Sequence, residues 1–208
     1  MIVPGAIGAF RKDALLKVGG YKSDTLAEDC DLTLRLLQSG FVVRNCNEAL
    51  SYTEAPETLK MFLKQRFRWT FGVMQIFWKH RKLLFSLKQR NLGWVILPNI
   101  LTFQMFLPLF APLVDILMIY ALVSGNAGNI VEFYLAFLAL DSVIAYLVFR
   151  FDKEKFTFKT FAYFVLQRII YRQFMWYILM KSYGKAIKGE IAHWGVLKRT
   201  GNVEDGTI

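Results

Sequence analysis

The sequence predicts the C-terminal part of an α/β domain joined to amphipathic interfacial helices and then to transmembrane α-helices. Three observations carry the prediction. Glu28, Asp29 and Asp31 stand just before an apolar pattern of Leu32, Leu34, Leu36 and Leu37 that stops at Gly40, which spells a helix with an acidic first turn and a glycine end. Two short runs rich in β-branched and aromatic residues follow, Phe41–Cys46 and Ala49–Glu54. Beyond them the composition changes, and from Trp94 to Phe149 there is no Lys or Arg, as in helices that cross hydrocarbon.

Residues 1–57 form the first region. Residues 1–9 alternate glycine with small apolar side chains. They read either as a buried strand and turn or as a backbone made able, by its glycines, to approach a ligand. Asp13–Gly20 is a short helix with an acid near its start and glycine at its C-cap, and Tyr21–Leu26 is the loop delivering the acidic cluster. Phe41–Cys46 and Ala49–Glu54, bounded by Gly40 and Pro56, are strands finishing a mixed sheet. Pro56 and Glu57 start the next helix.

Residues 58–93 contain Lys60, Lys64, Arg66, Arg68, Lys79, Arg81, Lys82, Lys88 and Arg90 but no Asp or Glu, interleaved with Leu59, Phe62, Phe67, Phe71 and Trp78. This is the pattern of basic helices lying in a membrane interface. His80, among Lys79, Arg81 and Lys82, reads as a solvated surface residue.

Residues 94–150 hold two spans. Trp94–Ser124 exceeds the roughly 20 residues that cross a bilayer, and Pro98, Pro108 and Pro112 divide it into an interfacial piece and a kinked span. A turn at 124–129 leads to Ile130–Phe149. Arg150, Lys153, Lys155 and Lys159 place the next loop in the cytoplasm, making this a multi-pass protein of the cell membrane. Residues 151–185 comprise that loop and Phe161–Met180, apolar enough to span yet carrying Arg168 and Arg172. Because basic residues flank it on both sides, an interfacial or re-entrant helix fits better than a third transmembrane one. Residues 186–208 are a cytoplasmic tail. Asp115 and Asp141 lie inside the spans, where they either face a polar channel or hydrogen-bond between helices.

Ala27-Glu28-Asp29 and Gln65-Arg66-Phe67-Arg68-Trp69 resemble the Thr-Glu-Asp and Gln-x-x-Arg-Trp motifs of the processive, membrane-bound family 2 glycosyltransferases. That family includes cellulose, hyaluronan, chitin and poly-β-1,6-N-acetylglucosamine synthases. Gly5–Tyr21 resembles the segment leading into the acidic motif, and alanine in place of threonine at position 27 leaves both acids intact. The resemblance covers roughly residues 1–93. It implies a GT-A-type domain of which this chain is a C-terminal fragment, inactive alone. The Asp-x-Asp motif and the ligands for Mg2+ or Mn2+ are expected before Met1, and no metal ligand is expected in this chain.

The activity implied is inverting, processive transfer from a UDP-sugar, with UDP-N-acetylglucosamine the nearest fit, onto a growing β-glycan that is extruded across the membrane. In that scheme Asp29 is the general base, with Glu28 and Asp31 supporting, and Gln65 and Arg68 bind the donor diphosphate. Trp69 stacks on the acceptor sugar, or alternatively anchors the helix at the interface. In the tail, Trp194, Arg199 and Thr200 resemble a gating loop, with Arg199 and Thr200 toward the diphosphate and Trp194 toward the acceptor; an unordered chain end is the alternative. The partners implied are the nucleotide sugar, the glycan acceptor, the lipid bilayer and an accessory membrane subunit.

The net charge of +10 fits an anionic donor and a membrane surface. Nucleic acid is not a partner, since the basic residues cluster beside apolar segments and no nucleic-acid motif occurs. Cys30 and Cys46 match no metal spacing and read as reduced thiols. Two other functions fit the same features: a non-processive membrane glycosyltransferase adding one sugar to a lipid, and a non-catalytic partner subunit of a synthase.

Overall fold

A computed structural model describes residues 3–46, 48–125, 127–151 and 156–189. The chain divides into two compact units, residues 1–106 with 178–208, and residues 107–177.

The first unit is built around α2 (Glu28–Gln38), preceded by α1 (Lys12–Lys17) and followed by α3 (Leu59–His80). Leu32 and Leu36, one turn apart, pack on Ala14 of α1 among Phe10, Leu15, Val18 and Phe41. Cys30 and Leu34 face another way and pack on Ile76 of α3 and on Leu92. Each leucine so buried contributes about 1.5–3 kcal/mol. The predicted glycine stops are present. Gly20, at φ 63°, returns its N–H to the Leu15 carbonyl at 2.9 Å, and Gly40 adopts φ 84° as the Phe41 N–H reaches the Leu36 carbonyl at 3.1 Å. Both are left-handed helix ends that favour glycine.

Two expectations need correction. Phe41–Cys46 and Ala49–Glu54 are not strands, and among the described residues there is none. Their β-branched and aromatic composition favours an extended backbone, but a strand also needs a neighbour to complete its hydrogen-bond ladder, and no ladder forms beside either run. They are joined by a turn in which the Ala49 N–H meets the Cys46 carbonyl at 3.3 Å. The helix α3 begins at Leu59 rather than at Pro56, because the Thr58 hydroxyl accepts from the Met61 N–H at 3.2 Å and caps it.

After α3 the chain is helical but irregular: a 3-10 turn (Arg81–Leu83), a π-helix (Asn91–Ile96), the single turn α4 (Leu97–Asn99) and a second π-helix (Ile100–Phe106). Pro98 lacks the N–H that a regular helix needs there. Gly93 is required where it stands, since a Cβ would lie 2.4 Å from the Leu83 carbonyl oxygen. The same close approach lets the Phe85 N–H bond to the Gly93 carbonyl at 3.1 Å. The last turns of α7 (Phe158–Ile187) belong to this unit, where Lys181 and Lys185 stand over the Phe67 ring at 5.5 and 5.7 Å.

The second unit contains a 3-10 turn (Leu107–Phe110), α5 (Ala111–Val123), α6 (Ala127–Phe151) and the rest of α7. Among the described residues two stretches are long and apolar enough to cross a membrane, Asn91–Val123 with mean hydropathy 2.2 and Ile130–Phe151 with mean hydropathy 1.8. The interhelical turn is shorter than predicted, since α6 already begins at Ala127. The helix α7 runs unbroken for 30 residues, without the reversal of a re-entrant segment. Its Arg172 donates to Asp115, and Gln173 Nε2 donates to the other carboxylate oxygen at 2.6 Å. Trp176 Nε1 donates to the Leu109 carbonyl at 3.1 Å.

Candidate functional site

The first turn of α2 holds Asp29 by both oxygens. Oδ2 accepts from the Gly5 N–H at 2.9 Å and Oδ1 from the Cys30 N–H at 2.7 Å. One turn on, the Thr33 hydroxyl donates to the Asp29 carbonyl at 2.8 Å and accepts from the Val3 N–H at 3.1 Å. Residues 3–5 are thereby laid across the start of α2. A Cβ on Gly5 would come within 3.3 Å of Asp29 Oδ2, so the backbone approach allowed by this glycine is to the carboxylate. Amide donors and a helix N-terminus both favour a negative charge, and each carboxylate oxygen keeps a further lone pair for a ligand hydroxyl.

Burial raises the Glu28 carboxyl above its ordinary range, with the Asp29 charge adding to the rise and the Arg68 guanidinium opposing it. Burial also raises the Tyr21 phenol, and the Asp29 and Glu28 charges raise it further. Tyr21, packed edge-on to Phe10, thus lies within electrostatic reach of the two acids, which local sequence reading missed. An aromatic residue in a loop carries no periodic signal.

Asp31 belongs elsewhere, so it does not support Asp29 directly. It is fully buried. Its Oδ2 accepts from Arg35 Nε at 2.8 Å, and its Oδ1 accepts from Lys79 Nζ at 2.8 Å and His80 Nε2 at 2.9 Å. Burial pushes the Asp31 pKa up, but the His80, Lys79 and Arg35 donors outweigh it and hold the carboxyl well below the usual range. Arg35 also donates to the Val18 and Gly20 carbonyls at 2.5 and 2.7 Å. His80 is 7% exposed, not the solvated residue its basic neighbours suggested. Its partners, Asp31 and Gln38, lie 49 and 42 residues away in sequence.

A single stripe of α3 seats on this region. At Gly72 a Cβ would meet the Ala27 Cβ at 2.9 Å and the Ala27 nitrogen at 3.0 Å, so backbone lies against backbone beside the acidic motif. Gln75 Oε1 accepts from the Leu26 N–H at 2.9 Å. Lys79 bonds Asp24 and Asp31, at 2.7 and 2.8 Å. Residues 72, 75 and 79 follow the i, i+3, i+7 spacing of one helix face, and the same spacing continued backward reaches Arg68 and Gln65. The Gln-x-x-Arg motif thus continues the face that grips residues 24–31, and the Arg68 charge opposes the rise of the Glu28 carboxyl.

Trp69 lies off that stripe. It is 49% exposed, and the Arg66 guanidinium stands 4.6 Å from its ring centre. Asp115 is paired with Arg172 and Gln173 within the second unit. Asp141 is on α6. Trp194, Arg199 and Thr200 lie outside the described residues, as does the side chain of Arg168. Burial pushes the Cys30 thiol up to about 12, which keeps it protonated within the core, and neither Cys30 nor Cys46 is in a disulfide. Among the described residues no three His, Cys, Asp or Glu converge as metal ligands. Although adjacent in sequence, Glu28, Asp29 and Asp31 fail to form such a group because Asp31 is committed to its three cationic and imidazole donors.

Comparison with known proteins agrees with the motifs. The chain is 33% identical over 90 residues to Bacillus subtilis "Probable glycosyltransferase YdaM", covering 43% of this chain and 21% of that protein. It is 31% identical over 72 residues to "Cellulose synthase 2" of Novacetimonas hansenii, covering 35% and 4%. It is 32% identical over 83 residues to rice "Glucomannan 4-beta-mannosyltransferase 1", covering 40% and 15%. The chain thus spans about a fifth or less of these relatives' lengths. No solved structure matches it. The profile of the Glycosyl transferase family group 2 matches residues 1–180, well over half of the sequence, and the chain belongs to that family.

Proposed function

We propose that this chain carries the acceptor-side part of an inverting, processive glycosyltransferase, which polymerises a β-glycan from a nucleotide sugar and passes it across a membrane. The observation that carries the reading is the α3 stripe. Gly72 packs against Ala27, next to Glu28 and Asp29, and the same helix face continues to Arg68 and Gln65. Two motifs separated by some tens of residues thereby share one region, with the electrostatic character that glycosyl transfer needs. A carboxylate stands on one side and a guanidinium fork on the other.

In this reading Asp29, oriented by Gly5 and Cys30, takes the proton from the acceptor hydroxyl as that oxygen attacks the anomeric carbon. The new carbon–oxygen bond forms with inversion while the anomeric carbon–phosphate oxygen bond breaks, its electron pair leaving with the diphosphate. Arg68 and Gln65 offset the charge on that leaving group. Trp69, exposed beside them, presents an aromatic face to the acceptor sugar. The reading calls for Mg2+ or Mn2+ on the donor diphosphate, held by the nucleotide-binding sheet of the family, where the ion would offset the charge of the leaving group. The 91–123 and 130–151 stretches hold the site against the bilayer, with the acidic motif on the cytoplasmic side.

The test is transfer from radiolabelled UDP-glucose, UDP-N-acetylglucosamine and GDP-mannose by the protein in membranes, with product length read on a gel. Wild type is expected to convert one donor into polymer. Asp29→Asn is expected to lower turnover at least 100-fold with donor binding retained, because the shape stays and the base is lost. Polymer formation by Asp29→Asn at near wild-type rate overturns the reading, and a product of a single added sugar removes processivity from it.

A further inference from the structure

We infer that the buried Asp31–His80 pair is a positioning device that sets the register of the Gln-x-x-Arg helix against the acidic helix. The inference rests on the proposed function and deepens it by naming residues outside both motifs on which the reaction depends.

Besides the Ile76–Cys30 packing and the exposed Lys79–Asp24 ion pair, three contacts fix α3 to residues 24–31: Gly72 on Ala27, Gln75 on the Leu26 N–H, and Lys79 with His80 on Asp31. The first is a packing contact that permits sliding, and the second is a single hydrogen bond. The third alone joins charged and polar groups at a buried carboxylate, where an alternative register would leave Asp31 Oδ1 without its donors. His80 is held from its other side by the Gln38 amide, 2.7 Å from Nδ1. With Gln38 donating there, the ring proton sits on Nε2 and points at Asp31. Gln89 Nε2 then bonds the Gln38 carbonyl at 3.1 Å, which ties the end of α2 to the segment after α3.

The location of this lock gives it leverage. Asp31 is two residues beyond Asp29 on the same helix. Along α3, Lys79 is eleven residues from Arg68, about 16 Å at the helical rise. A helix anchored at Gly72 and Lys79–His80 is fixed in rotation as well as in position, so the part that carries Gln65 and Arg68 is presented in one direction. Losing the anchor leaves both motifs present but loosely aimed, and misplacement by about 1 Å costs on the order of 100-fold in rate.

The experiment compares His80→Ala, His80→Gln and Asp29→Asn in the protein in membranes, using the donor that supports transfer. Turnover number and donor KM are measured alongside the thermal unfolding midpoint. His80→Ala is expected to lose about 10–100-fold in kcat with donor KM within about threefold of wild type and cooperative unfolding retained. His80→Gln, whose amide can still donate to Asp31, is expected to recover most of that loss. Wild-type kcat in a folded His80→Ala protein overturns the inference, as does a loss that follows the folded fraction and that His80→Gln does not repair. If Asp29→Asn is itself active, the functional reading fails first; if it is inactive while His80→Ala is fully active, only the positioning role fails.

Discussion

The helices α2 and α6 reverse the usual association of apolarity with burial. Seven of the 11 residues of α2 are buried, among them the charged Asp31 and Arg35. In α6, with 25 residues of mostly aliphatic and aromatic character, none of the apolar stretch is buried within the chain. What differs is the supply of partners. The polar side chains that α2 buries, Asp31, Thr33 and Arg35, meet donors or acceptors from α3, from Val3, from the loop after α1 and from α2 itself. The aliphatic side chains of α6, such as Leu135, Leu140, Val143 and Ile144, need no such pairing and stand exposed.

The largest test of this contrast is Asp31→Ala. Removing the carboxylate leaves Arg35 and Lys79 facing an apolar pocket, and the unfolding free energy of the purified protein is expected to fall by about 3–5 kcal/mol. A loss below about 1 kcal/mol would mean that the network is incidental. Next comes Leu140→Arg, at an exposed position of α6. If α6 sits in hydrocarbon, membrane insertion measured by glycosylation mapping becomes about 2.5–3.5 kcal/mol less favourable. An unchanged insertion efficiency would show that water or protein covers this face.

Gly72→Val should cost about 1–3 kcal/mol by overpacking against Ala27, whereas Gly184→Ala, where nothing lies within 4 Å, should stabilise by about 0.5–1 kcal/mol. Thermal midpoints measured side by side check both signs.

The smallest effect is a pH slope. The Asp31 carboxyl is held below its usual range despite burial, by His80, Lys79 and Arg35. Its contribution is therefore complete above about pH 4 and drains away as pH falls toward the lower folded-state value. Stability measured from pH 5 to pH 3 should decline in wild type and decline less steeply in Asp31→Asn.

Features governed by near neighbours were legible in the sequence. The acidic first turn of α2, its glycine stop at Gly40, the glycine end of α1 and the two long apolar stretches all follow from residues within a few positions of one another. Features that depend on distant partners were not. Phe41–Cys46 has the composition of a strand, but no ladder partner stands beside it. His80 looked solvated because Lys79, Arg81 and Lys82 surround it in sequence, yet its environment is set by Asp31 and Gln38. The candidate site divides in the same way. The motifs named Asp29, Gln65 and Arg68, whereas Gly72, Gln75 and Tyr21 become visible only once α3 is laid across the start of α2.

The bond between Arg172 and Asp115 has a consequence for biogenesis. Alone, a helix with an arginine near its middle resists entering an apolar phase, and so does one with an aspartate. Joined, the two charges cancel, and Gln173 occupies the remaining carboxylate oxygen. If both helices lie in a bilayer, α5 and α7 partition as a single body although α6 is synthesised between them, and the earlier helix waits until the later one emerges to neutralise it. The order of synthesis and the order of settlement would then differ.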